Sequence, residues 1–526
     1  MKPDAAAAPA PAFTRGRLVN AALLLSASFV LSRVLGLLRN VLIAAIFGNS
    51  HLTDAYFAAF NIPDTIYALI SGGALASAFV PVFAGLVQRG EHREAQRVGR
   101  TVMNSVFVGM ALLALIGWVF TPQIMSVLVG GYPASEQQLT VQLTRIMLLQ
   151  PIFLGVQAIV TSILQTYNRF FLTALAPLAY SLAAIFGALL GSVYGISALA
   201  WSIVIGALAY LVIQLPGLSP EFHWRPAIDW HLPSAREVLR LFGPRVAGLA
   251  AFRVMLLITV FLASRLPTGS LSAINYAWVL IWFPVSALGT AAATAIFPTL
   301  SRLHAVEDTL AVRRTVHRSL RLVIFLSIPA AVGLIILRGP IVILLYAHGA
   351  WTVHATEQTS LALLFYAMAI PALAAIEILP RVFYAMHETA APVKIAIVAV
   401  TIDAILSVIF VLVFPHGTGQ GGLALATAIA STIQILWLAS ALEGRLGPIA
   451  RRDLVLTLRD ALIASFAMAV TLYVGLNLLT LLFPLQHFSL LVVVVELAIG
   501  VAAFATASRL LAAPELDEVR SFIRPR

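Results

Sequence analysis

Residues 18–47 read LVNAALLLSASFVLSRVLGLLRNVLIAAIF, and the fold turns on them. The run exceeds the about 20 mostly apolar residues that cross a bilayer as a helix, and it lacks the short alternations of a barrel strand. Arg15 and Arg17 precede it as the basic head of a secretory leader would. No small-x-small cleavage site closes the apolar core, however, and helical sequence continues through Arg33 and Arg39. The stretch is therefore read as an uncleaved first span. The Ala/Pro-rich residues before it, within 1–17, are expected to form a disordered cytoplasmic tail.

The same pattern recurs along all 526 residues. A hydrophobic share of 60%, a charged share of 10% and a mean hydropathy of +0.96 leave too little polar surface for a soluble globule. Apolar runs at 18–47, 52–82, 98–120, 139–166, 173–193, 197–216, 238–264, 272–301, 315–337, 358–386, 391–414, 421–442, 454–482 and 488–511 are each long enough to span. The expectation is an all-α polytopic membrane protein of about fourteen transmembrane helices, since only helices or closed barrels satisfy their backbone in hydrocarbon.

Orientation follows from arginines in short loops. Arg89, Arg93, Arg97 and Arg100 form one group, Arg225, Arg236 and Arg240 a second, Arg302, Arg313, Arg314, Arg318 and Arg321 a third, and Arg445, Arg451 and Arg452 a fourth. All lie on one side of the predicted topology, together with both termini, and that side is expected to be cytoplasmic. The net charge of +11 is thus a topology signal with some attraction to anionic headgroups, and nucleic acid is not an expected partner. The absence of cysteine excludes disulfides, thiol catalysis and Cys-based metal sites.

An internal repeat organises the spans. Residues 73–102 (GALASAFVPVFAGLVQRGEHREAQRVGRTV) resemble 289–316 (GTAAATAIFPTLSRLHAVEDTLAVRRTV), and 167–177 (YNRFFLTALAP) resemble 384–392 (YAMHETAAP) at nearly the same offset. An even number of helices per repeat gives both copies the same orientation. Two six-helix lobes, 18–216 and 238–442, are then expected about a pseudo-two-fold axis along the membrane normal, joined by a cytoplasmic linker at 217–237. Two further helices within 443–511 and a cytoplasmic tail at 512–526 lie outside the repeat.

Charges inside spans are costly and face cavities or one another. The first span carries Arg33 and Arg39, the seventh Arg245 and Arg253, eight residues apart and so on one face. Acids are Asp54 and Asp64 in the second span, Glu377 in the tenth, Asp403 in the eleventh and Glu496 in the fourteenth. Arginines of both lobes facing a cleft suit an anionic headgroup, because the guanidinium fork donates paired hydrogen bonds and stays charged. The alternative is a structural ion pair between Arg33 or Arg39 and Asp54 or Asp64. Asp403, with Ser407 one turn on and Thr427 in the next span, is a candidate site for a monovalent cation, Na+ or H+, against the reading of a satisfied buried carboxylate. Prolines 63, 151, 284, 329, 371 and 380 fall within spans and are expected to bend them. Gly417, Gly419 and Gly422 fit GxGxxG but follow no strand, and Lys2 and Lys394 are too far from glycine-rich loops for a Walker motif. No enzyme and no cofactor are expected.

Several pieces in fixed order then point to a family: 32–39 (SRVLGLLR), 47–48 (FG), 53–57 (TDAYF), 62–64 (IPD), 72–75 (GGAL), 78–81 (AFVP), 167–170 (YNRF), 283–284 (FP) and 391–396 (APVKIA). Together they resemble the MurJ (MviN) family of lipid II flippases, in the multidrug/oligosaccharidyl-lipid/polysaccharide exporter superfamily. The resemblance implies movement of an undecaprenyl-pyrophosphate-linked disaccharide-pentapeptide from the cytoplasmic to the periplasmic leaflet of the inner membrane. It implies that Arg33 and Arg39 meet the pyrophosphate, that Asp54 matches a family acid, and that the last two helices make a groove for the polyprenyl tail. Membrane lipids and cell-wall synthesis proteins are the implied partners.

The chain departs from the family in two places. Tyr67 stands where an arginine is expected late in the second span. In the eighth, Tyr276-Ala277-Trp278-Val279 stands for Tyr-Ala-Asp-Arg, and Trp282 replaces an acid. Such a cleft loses an anion contact and gains aromatic faces that stack on sugars; Arg245 or Arg253 is the candidate replacement. A flippase for another lipid-linked glycan, a drug/cation antiporter of the same superfamily and an inactive scaffold paralogue are the alternatives.

Overall fold

The computed structural model describes residues 15–70, 74–218, 222–414, 417–448, 451–482, 490–516 and 518. The first half runs through α1 (Arg15–Phe47), α2 (His51–Ile70), α3 (Ala74–Gln88), α4 (His92–Leu128), α5 (Ala134–Met147), α6 (Gln150–Thr166), α7 (Phe170–Tyr194) and α8 (Ile196–Gln214). The second half follows with α9 (Pro233–Ala263), α10 (Ser270–Pro284), α11 (Ala291–Ala305), α12 (Thr309–Tyr346), α13 (Val353–Met368), α14 (Ile370–Ile376) and α15 (Leu379–Ala385). α16 (Ala390–Val413), α17 (Gly419–Leu446), α18 (Arg451–Leu482) and α19 (Leu490–Leu510) complete it. Among the described residues there is no strand.

Among the described residues, twelve spans are long and apolar enough to cross a membrane, and a bent pair, Val353–Met368 with Ile370–Ala385, makes a thirteenth. The remaining expected span, 238–264, lies in α9, of which Arg253–Ala263 is the apolar stretch among the described side chains. Several expected boundaries move: the charged turns at His92 and Thr309 are already helical, so α4 and α12 extend well past their apolar cores. Of the expected tail, residues 1–14 lie outside the described residues, whereas Arg15–Arg17 belong to α1.

Proline acts unevenly. An expected bend occurs at α13–α14, turned by 52° just before Pro371, while the helices are interrupted by short turns preceding Pro151 and Pro380. Pro284 leads into a π-helical segment, Val285–Thr290. Pro63 and Pro329 lie inside continuous helices. Where the freed carbonyl finds other partners, a membrane helix tolerates proline without breaking.

The chain divides into two compact units. The first contains Met1–Arg39, Ile62–Trp118 and Arg145–Val246. Its core stacks Phe79 on Phe83, with ring centroids 5.0 Å apart, against Val98, Val102, Met110, Ile159 and Ile163. The described residues of the expected linker are held along α4. Asn104 donates to the carbonyls of Arg225 and Ala227, Thr101 accepts from the Asp229 amide, and Arg97 pairs with the Asp229 carboxylate at 2.6 Å.

The second unit contains Asn40–Asn61, Val119–Thr144 and Ala247–Arg526. One core joins α11, α12, α15 and α17 through Leu300, Val316, Val382, Phe383 and Leu442. Another joins α12, α18 and α19 through Phe325, Ala464, Leu472 and Phe504. The start of the expected 512–526 tail docks onto this second core: Glu515 is buried and accepts from Arg321 and Thr457. The division does not follow the predicted boundary at 217–237, since residues 40–61 and 119–144 group with the second half.

Candidate gate and binding cavity

Residues 40–61 are tied to the second half of the sequence by local polar contacts. Asp54, in the first turn of α2, is buried at 1% exposure. Its Oδ2 accepts from the Gly269 amide at 2.6 Å, and its Oδ1 accepts from the Ser272 amide at 2.8 Å and the Ser272 hydroxyl at 2.5 Å. A helix start leaves amide donors unsatisfied and carries partial positive charge. α10 has no side-chain cap of its own, so Asp54 supplies one from the other half of the sequence. Gly269 sits at φ +90°, a left-handed conformation open to glycine at little cost.

Around this cap the closure is continuous. Asn49 donates to Gln358 at 2.7 Å, and Gln358 donates to the Thr268 carbonyl at 3.2 Å. The Ala350 amide reaches the Ala45 carbonyl at 2.7 Å. Beneath lies an aromatic plug: Tyr276 meets Phe57 edge-on at 5.5 Å and packs on Tyr346 and Trp351 at 5.0 and 5.3 Å. All of this sits at the helix ends opposite the arginine-rich loops.

Next to the plug, the second unit holds a cavity of about 590 Å³, counting its open mouth, with Asn61, Thr259, Asn275, Trp278, Tyr366, Asp403 and Thr427 among its lining residues. Asp403 is 7% exposed. Its oxygens accept from Ser407 at 3.3 Å and Thr427 at 3.2 Å, so the three residues grouped from sequence do come together. A buried carboxylate with hydroxyl oxygens beside it suits a hard monovalent cation or a proton. Among the described residues no three His, Cys, Asp or Glu side chains are clustered for a divalent ion. Trp278 makes edge contacts with Trp282 at 5.9 Å and Tyr366 at 5.1 Å.

The other expected residues belong largely to the first unit. Arg33 is exposed, its guanidinium 5.1 Å from the Phe29 ring centroid. Arg39, Asp64 and Tyr67 are half-buried, as is Arg253 on α9 of the second unit. Arg245 lies in α9, but its side chain is outside the described residues. Sequence reasoning missed Gly269, Ser272, Asn49, Gln358 and Arg381. The turn Pro267-Thr268-Gly269-Ser270 before an apolar run is a helix-start signal, and Arg381 is a charge within an apolar run.

A family model described as "Lipid II flippase MurJ" matches residues 43–494. A probable lipid II flippase of Buchnera aphidicola is 28% identical over 86% of this chain and 89% of its own length. One from Burkholderia cenocepacia is 30% identical over 81% and 84%. Among solved structures, "Lipid II flippase MurJ, inward closed conformation" superposes with a TM-score of 0.77 at 25% identity, covering 95% of this chain and 100% of that one. An inward-facing multidrug transporter of the MOP superfamily gives 0.69 at 13% identity over 78% and 96%.

Proposed function

The chain belongs to the MurJ family of lipid II flippases, and on that premise we propose that it carries the lipid-linked peptidoglycan precursor across the inner membrane by alternating access. It is an integral membrane transporter, not an enzyme. The helix ends at the arginine-rich loops, and both termini, are assigned to the cytoplasm by the charge rule. The Asp54 cap on α10 then closes the periplasmic end.

That cap is the observation that carries the reading. It joins the two halves of the sequence through a few hydrogen bonds to a charged acceptor, each worth about 1.5–3 kcal/mol, an amount that a substrate's differential binding can overcome. Release of the cap would open the periplasmic side and return of the cap would reset it. Within the first unit, Arg33 and Arg39 on α1 are assigned to pyrophosphate contact at one stage of the cycle; within the second, Trp278 and Trp282 are assigned to sugar faces. The groove for the polyprenyl tail is assigned to α18 and α19.

No nucleotide motif is present to drive the cycle, and the membrane potential supplies about 2.3 kcal/mol per charge per 100 mV. The cavity at Asp403, Ser407 and Thr427 supports a second element, a monovalent cation or proton coupled to closure. The test is accessibility of fluorescent lipid II in proteoliposomes: the purified chain should move the probe between leaflets. Transport of a lipid-linked glycan other than lipid II, or of none, would sink the reading.

A further inference from the structure

The eighth span carries a series of aromatic and hydroxyl residues at regular spacing. Trp278, Trp282, Ser286, Thr290 and Thr294 follow one another at four-residue intervals. In a straight α-helix such a series drifts by about 40° per step. The π-helical segment Val285–Thr290 takes more residues per turn and offsets that drift. The segment lies against α14: a Cβ on Gly289 would fall 2.6 Å from the Ala374 carbonyl oxygen, so glycine is required for the approach. The opposite face of α11 is core, with Ala293 and Leu300 buried against α15.

At the far end of the series stands an arginine inside the tenth span. Arg381 donates to the Thr294 hydroxyl at 2.9 Å and to Glu377 at 3.2 Å; Thr290 holds the same carboxylate at 3.1 Å. Arg381 and Glu377 are 29% and 25% exposed. Thr294 is exposed, and the buried Ser286 hydroxyl has no partner among the described residues. Arg381 lies one turn from the end of α15, close to the loop where Glu388 pairs with Arg445. That is the arginine-rich side, from which an inner-leaflet headgroup arrives.

We propose that Arg381, aligned with Thr290 and Thr294, is a diphosphate-binding residue of the second unit, and that the series running from it to Trp282 and Trp278 seats the sugars of the same headgroup. From Thr294 to Trp282 the helix rises about 18 Å, the reach of a short glycan on a diphosphate. Glu377 is the resting counter-ion: an incoming diphosphate takes over the guanidinium, bidentately, while Thr290 retains the displaced carboxylate. The inference rests on the flippase reading above.

Binding of lipid II and of bare undecaprenyl diphosphate to the detergent-purified full chain separates the possibilities. Arg381→Ala should weaken both ligands on the order of tenfold or more. Trp282→Ala should weaken lipid II alone. Glu377→Gln should leave both unchanged or tighter, and the double variant should match Arg381→Ala. Unchanged affinity in Arg381→Ala, or equal losses in Glu377→Gln with recovery in the double variant, would reduce the pair to a structural strut and overturn the proposal. A parent that binds bare diphosphate but not lipid II would sink the substrate reading and leave this test standing; a parent that binds neither would sink both.

Discussion

Ser272 gives both its amide and its hydroxyl to one oxygen of Asp54, 218 residues away in the sequence. The acid thereby links the start of the second span to the start of the eighth. With Gly269 on the other oxygen, the contact is a helix cap assembled between the two halves of the chain.

Asp54→Ala removes that cap and leaves the α10 amides without an acceptor, a loss of about 1–3 kcal/mol. Because the parent has no cysteine, a single Ala55→Cys reporter, at a fully buried side chain beside Asp54, can read the closure. Its labelling by a membrane-impermeant maleimide should rise about tenfold in the Asp54→Ala background. Equal labelling in both backgrounds would contradict the gate.

Gly269→Val tests the same closure through the backbone. A branched residue at φ +90° costs about 1–2 kcal/mol, and its side chain would enter the Asn49–Gln358 contact. The reporter should again label faster, with little change in the helical content measured by circular dichroism. Gly269→Asn, which tolerates left-handed backbone better, should be the milder change.

Asp403→Asn addresses coupling. If the carboxylate with Ser407 and Thr427 holds Na+, replacing choline chloride by NaCl should raise the parent's Tm by a few degrees, as any ligand of the folded state does. The variant should lose that increment. A parent insensitive to Na+ but whose transport depends on the proton gradient would assign the site to H+.

The linker strap carries a pH dependence of known sign. Arg97 beside Asp229 holds its carboxyl below the usual carboxylate range. The stabilisation is therefore present above the unfolded value of about 3.9 and is lost as pH falls through the lower folded value. Proteolysis within 217–237 should accelerate on acidification below about pH 4. Arg97→Ala should already show the faster cleavage at neutral pH, the more so at low salt.

Much of this was legible in sequence, because bilayer thickness forces long apolar helices and arginine loops order them. Asp403, Ser407 and Thr427 could be grouped in advance, since one helical turn and one short connection bring them together. The Asp54 cap could not: its partners are backbone amides, which every sequence contains. The π-helical segment was likewise hidden, since Pro284 announces a disturbance without its kind. Arg381 was overlooked because its pairing with Glu377 only becomes informative once Thr290 and Thr294 stand beside it.

The most direct test of the central claim is complementation of a conditional MurJ-depleted bacterium by this chain, with Arg33→Ala, Arg39→Ala and Asp54→Ala variants expressed to equal levels. Rescue by the parent and its loss in the variants is the predicted result. A well-expressed parent that fails to restore growth, or variants that all rescue as well as the parent, would contradict the account.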